Sequence, residues 1–184
     1  KEILENFRPE LAAMAAKHHL TEDECLQKLA AMYDGYHFYP GCPGLYNPFS
    51  LLNALEKRDF RAYWFATGTP TFLAKRVRDV HIDTKRFSDG SLYATNDAIT
   101  DYRYENPDPV PLLYQTGYLT LRDYDELRRR YSLCFPNAEV RHGFLESLLP
   151  VYTSAAIANT GTDVFALGDC LEAGDTDRTR DILT

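Results

Sequence analysis

Residues 110–121 have the sequence VPLLYQTGYLTL, and residues 131–137 have the sequence YSLCFPN. The first stretch begins as a short helix that Gly117 can terminate, and it then alternates apolar and polar residues as a strand does. The second stretch alternates in the same way and ends at Pro136-Asn137, which caps a following helix. Because the polar residues between the two stretches can form a turn, the pattern predicts a short helix, a β-hairpin and a longer helix. This order resembles the end of a winged-helix unit.

The part of the chain before this unit predicts helices with clear starting signals. Thr21 and Glu24 have the spacing of a capping box, and Asn47 is a cap followed by Pro48 at the first helical position. We therefore predict a mainly α, α+β chain. Its predicted parts are a helical unit at residues 1–80, a connector at 81–104, and a winged-helix-like unit with one β-hairpin at 105–184.

Composition and charge exclude several classes of protein. The chain has 184 residues, of which 45% are hydrophobic and 26% charged, and its formal net charge is −7. These values exclude a disordered tail and argue against sequence-blind attraction to nucleic acid. No stretch approaches the roughly 20 apolar residues that cross a bilayer, so we expect no membrane partner. The four cysteines are far apart, and we predict reduced thiols in a cytoplasmic protein.

The motifs of common catalytic sites are absent from the sequence. None of the ten glycines is followed by lysine and no G-x-G occurs, so the chain has no phosphate loop or dinucleotide fingerprint. No cysteine and histidine spacing completes a zinc site. We therefore predict no catalytic residues, no metal ligands and no cofactor within this chain.

Two alternatives remain open. Asp83 and Lys85 form a D-x-K triplet, an arrangement in which metal-dependent nucleases hold a divalent ion and a water, although a second carboxylate is needed. A winged-helix unit can also bind DNA, and Arg128, Arg129 and Arg130 lie where a wing would contact phosphate. However, residues 109–153 carry five basic and five acidic side chains. This net charge of zero favours a packing module over a DNA-binding one.

Five motifs resemble, in order and spacing, the bacterial AAA-ATPase-like family. They are YDGYHF at 33–38, YNPFSLLN at 46–53, YWFATGTPTFL at 63–73, PLLYQTGYLT at 111–120, and FPN at 135–137 followed by Val140-Arg141. In that family a P-loop ATPase core precedes this region and a PD-(D/E)XK nuclease-like domain follows it. The resemblance implies a middle segment of such a parent protein, for which ATP and Mg are the implied cofactors and the two flanking domains the implied partners.

The resemblance also implies a role for this segment. A helical part that follows an ATPase core can lie over bound nucleotide, so we expect a non-catalytic lid or coupling segment that transmits nucleotide state between domains. The candidate residues for nucleotide or interdomain contact are Asp34, Tyr36, Asn47, Thr67, Gly68 and Thr69. Helix capping and turn formation account for Asn47, Gly35 and Thr69 completely without any ligand.

Overall fold

A computed structural model describes residues 2–64, 71–80, 85–100 and 108–153. The helices are α1 (Glu2–Asn6), α2 (Arg8–Lys17), α3 (Glu22–Tyr33), α4 (Pro48–Lys57), α5 (Thr71–Asp79), α6 (Lys85–Asp89), α7 (Asn96–Thr100), α8 (Val110–Gln115) and α9 (Ala138–Thr153). The strands are β1 (Leu92–Ala94), β2 (Thr120–Asp125) and β3 (Arg130–Cys134). Helices thus predominate over one small sheet, which confirms the predicted mainly α, α+β class.

Helices α2, α3 and α4 enclose the first of two hydrophobic cores. Its larger fully buried side chains are Met14, Leu29, Tyr33, Leu51 and Leu55. The Tyr33 hydroxyl donates to the Arg61 carbonyl at 2.9 Å and accepts from the Arg61 amide at 3.0 Å. This pair fixes the segment that follows α4 against α3. We call residues 2–64 the N-terminal unit.

The predicted helix starts are confirmed at α3 and α4. The Glu24 amide donates to Thr21 Oγ1 at 3.2 Å and the Thr21 amide donates to Glu24 Oε2 at 2.8 Å, which completes the capping box. Asn47 Oδ1 accepts from the amides of Phe49 and Ser50 at 3.1 and 3.3 Å. Each cap satisfies amides that a helix start would otherwise leave unpaired.

The second core lies between α5, α8, α9 and a three-stranded antiparallel sheet of order β1-β3-β2. Leu121 of β2 and Leu92 of β1 both pair with Leu133 of β3, and all three side chains are buried. Phe87 and Phe144 are fully buried beside them. We call the described residues between 71 and 153 the C-terminal unit.

The predicted transition from α8 to the hairpin is seen at Gly117. Its φ of +83° is a left-handed conformation that glycine adopts without strain. The reversal lets the amides of Tyr118 and Leu119 both donate to the Leu113 carbonyl, at 2.8 and 3.1 Å. The chain then enters β2 directly, and the hairpin returns through β3.

The observed division of the chain differs from the predicted one in two places. Residues 85–100, in the predicted connector, form α6, β1 and α7 and contribute Phe87, Leu92 and Ile99 to the second core. Helix α5, predicted within the helical unit, packs on α9 and also belongs to the second core. The reason is physical: a three-residue strand is too short to show alternation, and the apolar face of a helix does not specify which core it covers.

Two further predictions concern the end of the chain and the membrane. The sequence also predicts a helix around residues 163–173, and these lie outside the described residues. Within the described residues, no helix combines the length and the apolar character needed to cross a bilayer.

Candidate functional site

A cleft of about 650 Å³ lies where the two units meet. The N-terminal unit lines it with residues from the turn between α3 and α4 and with Trp64, and the C-terminal unit lines it with residues 115–117 at the end of α8. The lining includes the aromatic side chains Tyr36, Phe38, Tyr46 and Trp64 and the polar side chains Asp34, Asn47, Gln115 and Thr116. Three of the predicted contact residues, Asp34, Tyr36 and Asn47, are thus brought together in one cleft.

Asp34 is placed by the tight turn that ends α3. Its Oδ1 accepts a 2.7 Å hydrogen bond from the Gly35 amide. Gly35 has a φ of +102°, and a side chain there would overlap the carbonyl oxygen of Pro136 in the C-terminal unit. The turn therefore depends on glycine for its conformation and for its close approach to the other unit.

Tyr36 stands beside Asn47 on the floor of the cleft. Burial raises the pKa of the Tyr36 phenol to about 12, and the nearby Glu139 carboxyl contributes, whereas a hydrogen bond with the Asn47 side chain opposes the shift. Tyr36 is therefore neutral at physiological pH. The backbone of Tyr36 pairs with Leu45 through hydrogen bonds of 3.2 and 3.0 Å, which close the intervening loop at the rim of the cleft.

Trp64 connects the cleft with the second core. Its ring lies 5.0 Å from the Tyr118 ring, centroid to centroid, and the Tyr118 ring lies 5.3 Å from that of Phe144. Such tilted aromatic pairs are favourable and restrict ring movement. The indole in the cleft is consequently held by packing from the C-terminal unit.

A buried carboxyl group joins the two units behind the cleft. Glu139, in the first turn of α9, is fully buried. Its Oε1 accepts from the Ser50 hydroxyl at 3.0 Å and from the Trp64 amide at 2.8 Å, both in the N-terminal unit. Its Oε2 is buried with no hydrogen-bond partner among the described residues. Burial raises the pKa of Glu139, and the donated hydrogen bonds oppose that shift only in part.

A second polar contact joins the units at Thr120. The His37 amide donates to Thr120 Oγ1 at 2.7 Å, and the same hydroxyl donates to the His37 carbonyl at 3.1 Å. Thr120 is buried, so both bonds are shielded from water. We call the contacts of Glu139 and Thr120 with Ser50, Trp64 and His37 the unit junction.

The arginines proposed for nucleic-acid contact lie at the hairpin turn, away from the cleft. Arg128 pairs with Asp125 at 3.1 Å, and Arg130 lies 3.5 Å from the same carboxylate. The Arg130 guanidinium also lies 3.9 Å from the centroid of the Tyr93 ring. Two of the three arginines are therefore engaged within the unit, while Arg129 is exposed and has a left-handed φ of +49°.

The remaining candidate residues are Thr67, Gly68, Thr69, Asp83 and Lys85. Thr67, Gly68, Thr69 and Asp83 lie outside the described residues, and Lys85 begins α6. Among the described residues, no group of three or more histidine, cysteine, aspartate or glutamate side chains could hold a metal ion. The described cysteines, Cys25, Cys42 and Cys134, are free thiols.

Sequence reasoning did not single out Glu139, Thr120 or Gln115. An acidic residue in the first turn of a helix ordinarily complements the helix dipole at the surface, so Glu139 carries no signal of burial. Thr120 occupies a polar position of an alternating strand. Contact with the N-terminal unit gives Glu139 and Thr120 their structural role, whereas the Gln115 side chain bonds within its own unit.

One relative was found among curated proteins. The uncharacterized protein in the vnfD 5' region of Azotobacter chroococcum mcd 1 is 35% identical over 148 residues, which are 79% of this chain. The match covers 26% of that relative, so the chain spans about a quarter of its length. No protein-family model matches the chain, and no solved structure matches it significantly.

Proposed function

We propose that this chain is a non-catalytic coupling segment of a larger protein, and that it transmits a change at its N-terminal unit to its C-terminal unit. The observation that supports this proposal is the buried Glu139 carboxyl, which accepts from Ser50 and Trp64 across the unit junction. A buried hydrogen-bonded carboxyl is costly to separate from its donors. Movement of one unit therefore tends to carry the other with it.

The proposed parent has an ATPase core before this segment and a nuclease-like domain after it. The resemblance of five sequence motifs to the AAA-ATPase-like family supports this arrangement, and ATP and Mg would bind to the upstream core. The relative is consistent with a longer parent, since the match covers 26% of its length. In this proposal Asp34, Tyr36 and Asn47 face a neighbouring domain, and the whole protein is cytoplasmic.

Hydrogen exchange in the full-length parent tests the coupling. Adding ATP with Mg is expected to change amide exchange in residues 34–64 and also in residues 85–134. Glu139→Ala should abolish the second change and preserve the first. Glu146→Ala is the matched control, because Glu146 is exposed on the same helix α9. Equal responses in Glu139→Ala and Glu146→Ala, or no response to ATP in the wild type, would contradict the proposal.

DNA binding by the C-terminal unit is a second candidate function. The sheet order β1-β3-β2, with α7 and α8 before the hairpin, favours it because winged-helix units use this arrangement. Helix α8, which would enter the groove, has no basic side chain. Binding of duplex DNA that weakens steeply with salt, and that is lost when Arg128, Arg129 and Arg130 are all replaced by alanine, would support this function over coupling alone.

A further inference from the structure

The polar groups of the cleft between the units indicate what kind of ligand fits it. Gln115 Nε2 donates to the carbonyls of Ile99 and Thr100 at 3.3 and 3.2 Å, and the Thr116 hydroxyl donates to the Leu112 carbonyl at 2.5 Å. The donors of both side chains are thus engaged by the fold. Only the side-chain oxygens of Gln115 and Thr116 remain available to a ligand, as hydrogen-bond acceptors.

Asn47 is also committed to the fold. Its Oδ1 caps α4, and its side chain hydrogen-bonds Tyr36. It is therefore not available to hydrogen-bond a base edge in the way that asparagine recognises adenine. Asn47 therefore cannot supply the paired hydrogen-bond donor and acceptor that would recognise a nucleobase in the cleft.

The described lining of the cleft carries negative charge only. Among the described residues that line the cleft, Asp34 is the only charged one, and no ion pair to Asp34 is formed within that part of the chain. Among the described lining residues a phosphate group would find no cation, whereas a positively charged donor would find the Asp34 carboxylate.

The aromatic lining favours a flat cation. Tyr36, Tyr46, Phe38 and Trp64 all line the cleft, and a guanidinium gains from contact with such rings as well as from hydrogen bonds to a carboxylate. Phe38 and Leu45 at the rim are 71% and 52% exposed. These apolar side chains would contact residues on either side of the cation, so the rim suits a polypeptide better than a free amino acid.

We propose that the cleft binds an arginine side chain presented by a polypeptide segment of another domain or protein. The guanidinium donates to the Asp34 carboxylate and lies against the aromatic side chains, and the flanking residues of the segment contact Phe38 and Leu45. This inference concerns the cleft and goes beyond coupling through Glu139. Either proposal can fail without the other.

Fluorescence titration with short peptides tests the inference on the chain itself. Trp64 is the single tryptophan of the sequence and lines the cleft, so its emission reports occupancy. The probes are acetylated and amidated peptides of the sequence Gly-Leu-X-Leu-Gly, where X is arginine, citrulline or glutamate. Citrulline has nearly the shape of arginine without its charge. We expect the arginine peptide to bind at least about tenfold more tightly than the citrulline peptide, and the glutamate peptide not to bind.

Variants separate charge from shape. Asp34→Asn keeps an acceptor for the Gly35 amide and removes the charge, so it should eliminate the preference for arginine over citrulline. Gly117→Ala would place a methyl group 3.7 Å from Tyr36 Cε1 and 4.0 Å from Trp64 Cζ2, which should weaken binding of every peptide. Gly41→Ala is its matched control, since Gly41 has a similar φ of +79° and nothing within 4 Å of the added carbon. It should bind as the wild type does.

Several outcomes would overturn the inference. They are equal binding of the arginine and citrulline peptides, an unchanged preference in Asp34→Asn, absence of any emission change at millimolar arginine peptide, and ATP binding more tightly than the arginine peptide. Circular dichroism of each variant verifies that the fold is retained, and Asp34→Asn remains decisive if Gly117→Ala does not fold.

Discussion

The amide of Trp64 donates a 2.8 Å hydrogen bond to Oε1 of Glu139, a residue 75 positions later in the chain. The same oxygen accepts from the Ser50 hydroxyl. One carboxylate oxygen thus pairs two groups of the N-terminal unit with the first turn of α9. The stability and the pH response of the protein should both depend on this atom.

Glu139→Ala should lower the free energy of unfolding by about 2 kcal/mol, because the Ser50 hydroxyl and the Trp64 amide both lose their hydrogen bonds to Oε1. Loss of a desolvated carboxyl offsets part of that cost. Urea unfolding followed by circular dichroism measures the change. Glu146→Ala, at an exposed site of the same helix, should stay within about 0.5 kcal/mol of the wild type. Similar losses in the two variants would show that the junction adds no stability.

Stability should decrease as pH rises above about 4.5, the ordinary carboxyl pKa, through the raised pKa of Glu139. The folded protein holds this proton at pH values where the unfolded chain has released it, so the contribution is fully present below the unfolded pKa and is lost as pH passes the folded pKa. Glu139→Gln does not titrate and should lack this component. The measurement is the difference in unfolding free energy between wild type and variant across pH, and a difference that does not change with pH would contradict the assignment.

Gly35→Ala should be more destabilising than Gly41→Ala. Both glycines have positive φ, at +102° and +79°, but only at Gly35 does an added carbon meet backbone, the carbonyl of Pro136. We expect losses of about 3 kcal/mol at Gly35 and about 1 kcal/mol at Gly41, measured by chemical unfolding. Equal losses would indicate that the turn is free to move away from Pro136.

Cys42 should be alkylated first among the described cysteines. Hydrogen bonding from the Tyr39 backbone and the neighbouring His37 lowers the pKa of the Cys42 thiol, whereas burial raises the pKa values of Cys25 and Cys134. Thiolate is the reactive form, so iodoacetamide at neutral pH should modify Cys42 fastest, as followed by peptide mass mapping. In denaturant the three rates should converge. Faster labelling of Cys25 or Cys134 in the folded protein would be inconsistent with the structure.

Local signals in the sequence predicted the elements that begin with a cap or end with glycine. The capping box at Thr21, the Asn47 cap and the turn at Gly117 each involve residues within a few positions, so their effect is contained in the sequence nearby. Strand β1 was not specified in this way. It has three residues, and it exists because β3 offers a free edge for pairing.

The candidate site shows the same limit. Asp34, Tyr36 and Asn47 are close in sequence, and the turn between α3 and α4 brings them to one cleft. Gln115 and Glu139 come to the same region from the C-terminal unit. The residues next to them in the sequence do not indicate this position. Packing between the two cores decides which of their surfaces meet. Local sequence patterns carry no information about that choice.

The bonds across the unit junction connect residues 75, 83 and 89 positions apart. Contacts between residues so far apart in sequence form late in folding, because the intervening chain must first lose conformational entropy. During synthesis on the ribosome, the N-terminal core can assemble while α9 is still within the exit tunnel. Until that helix emerges, the Ser50 hydroxyl and the Trp64 amide are hydrated, and the aromatic side chains beside them are a surface on which chaperones can act.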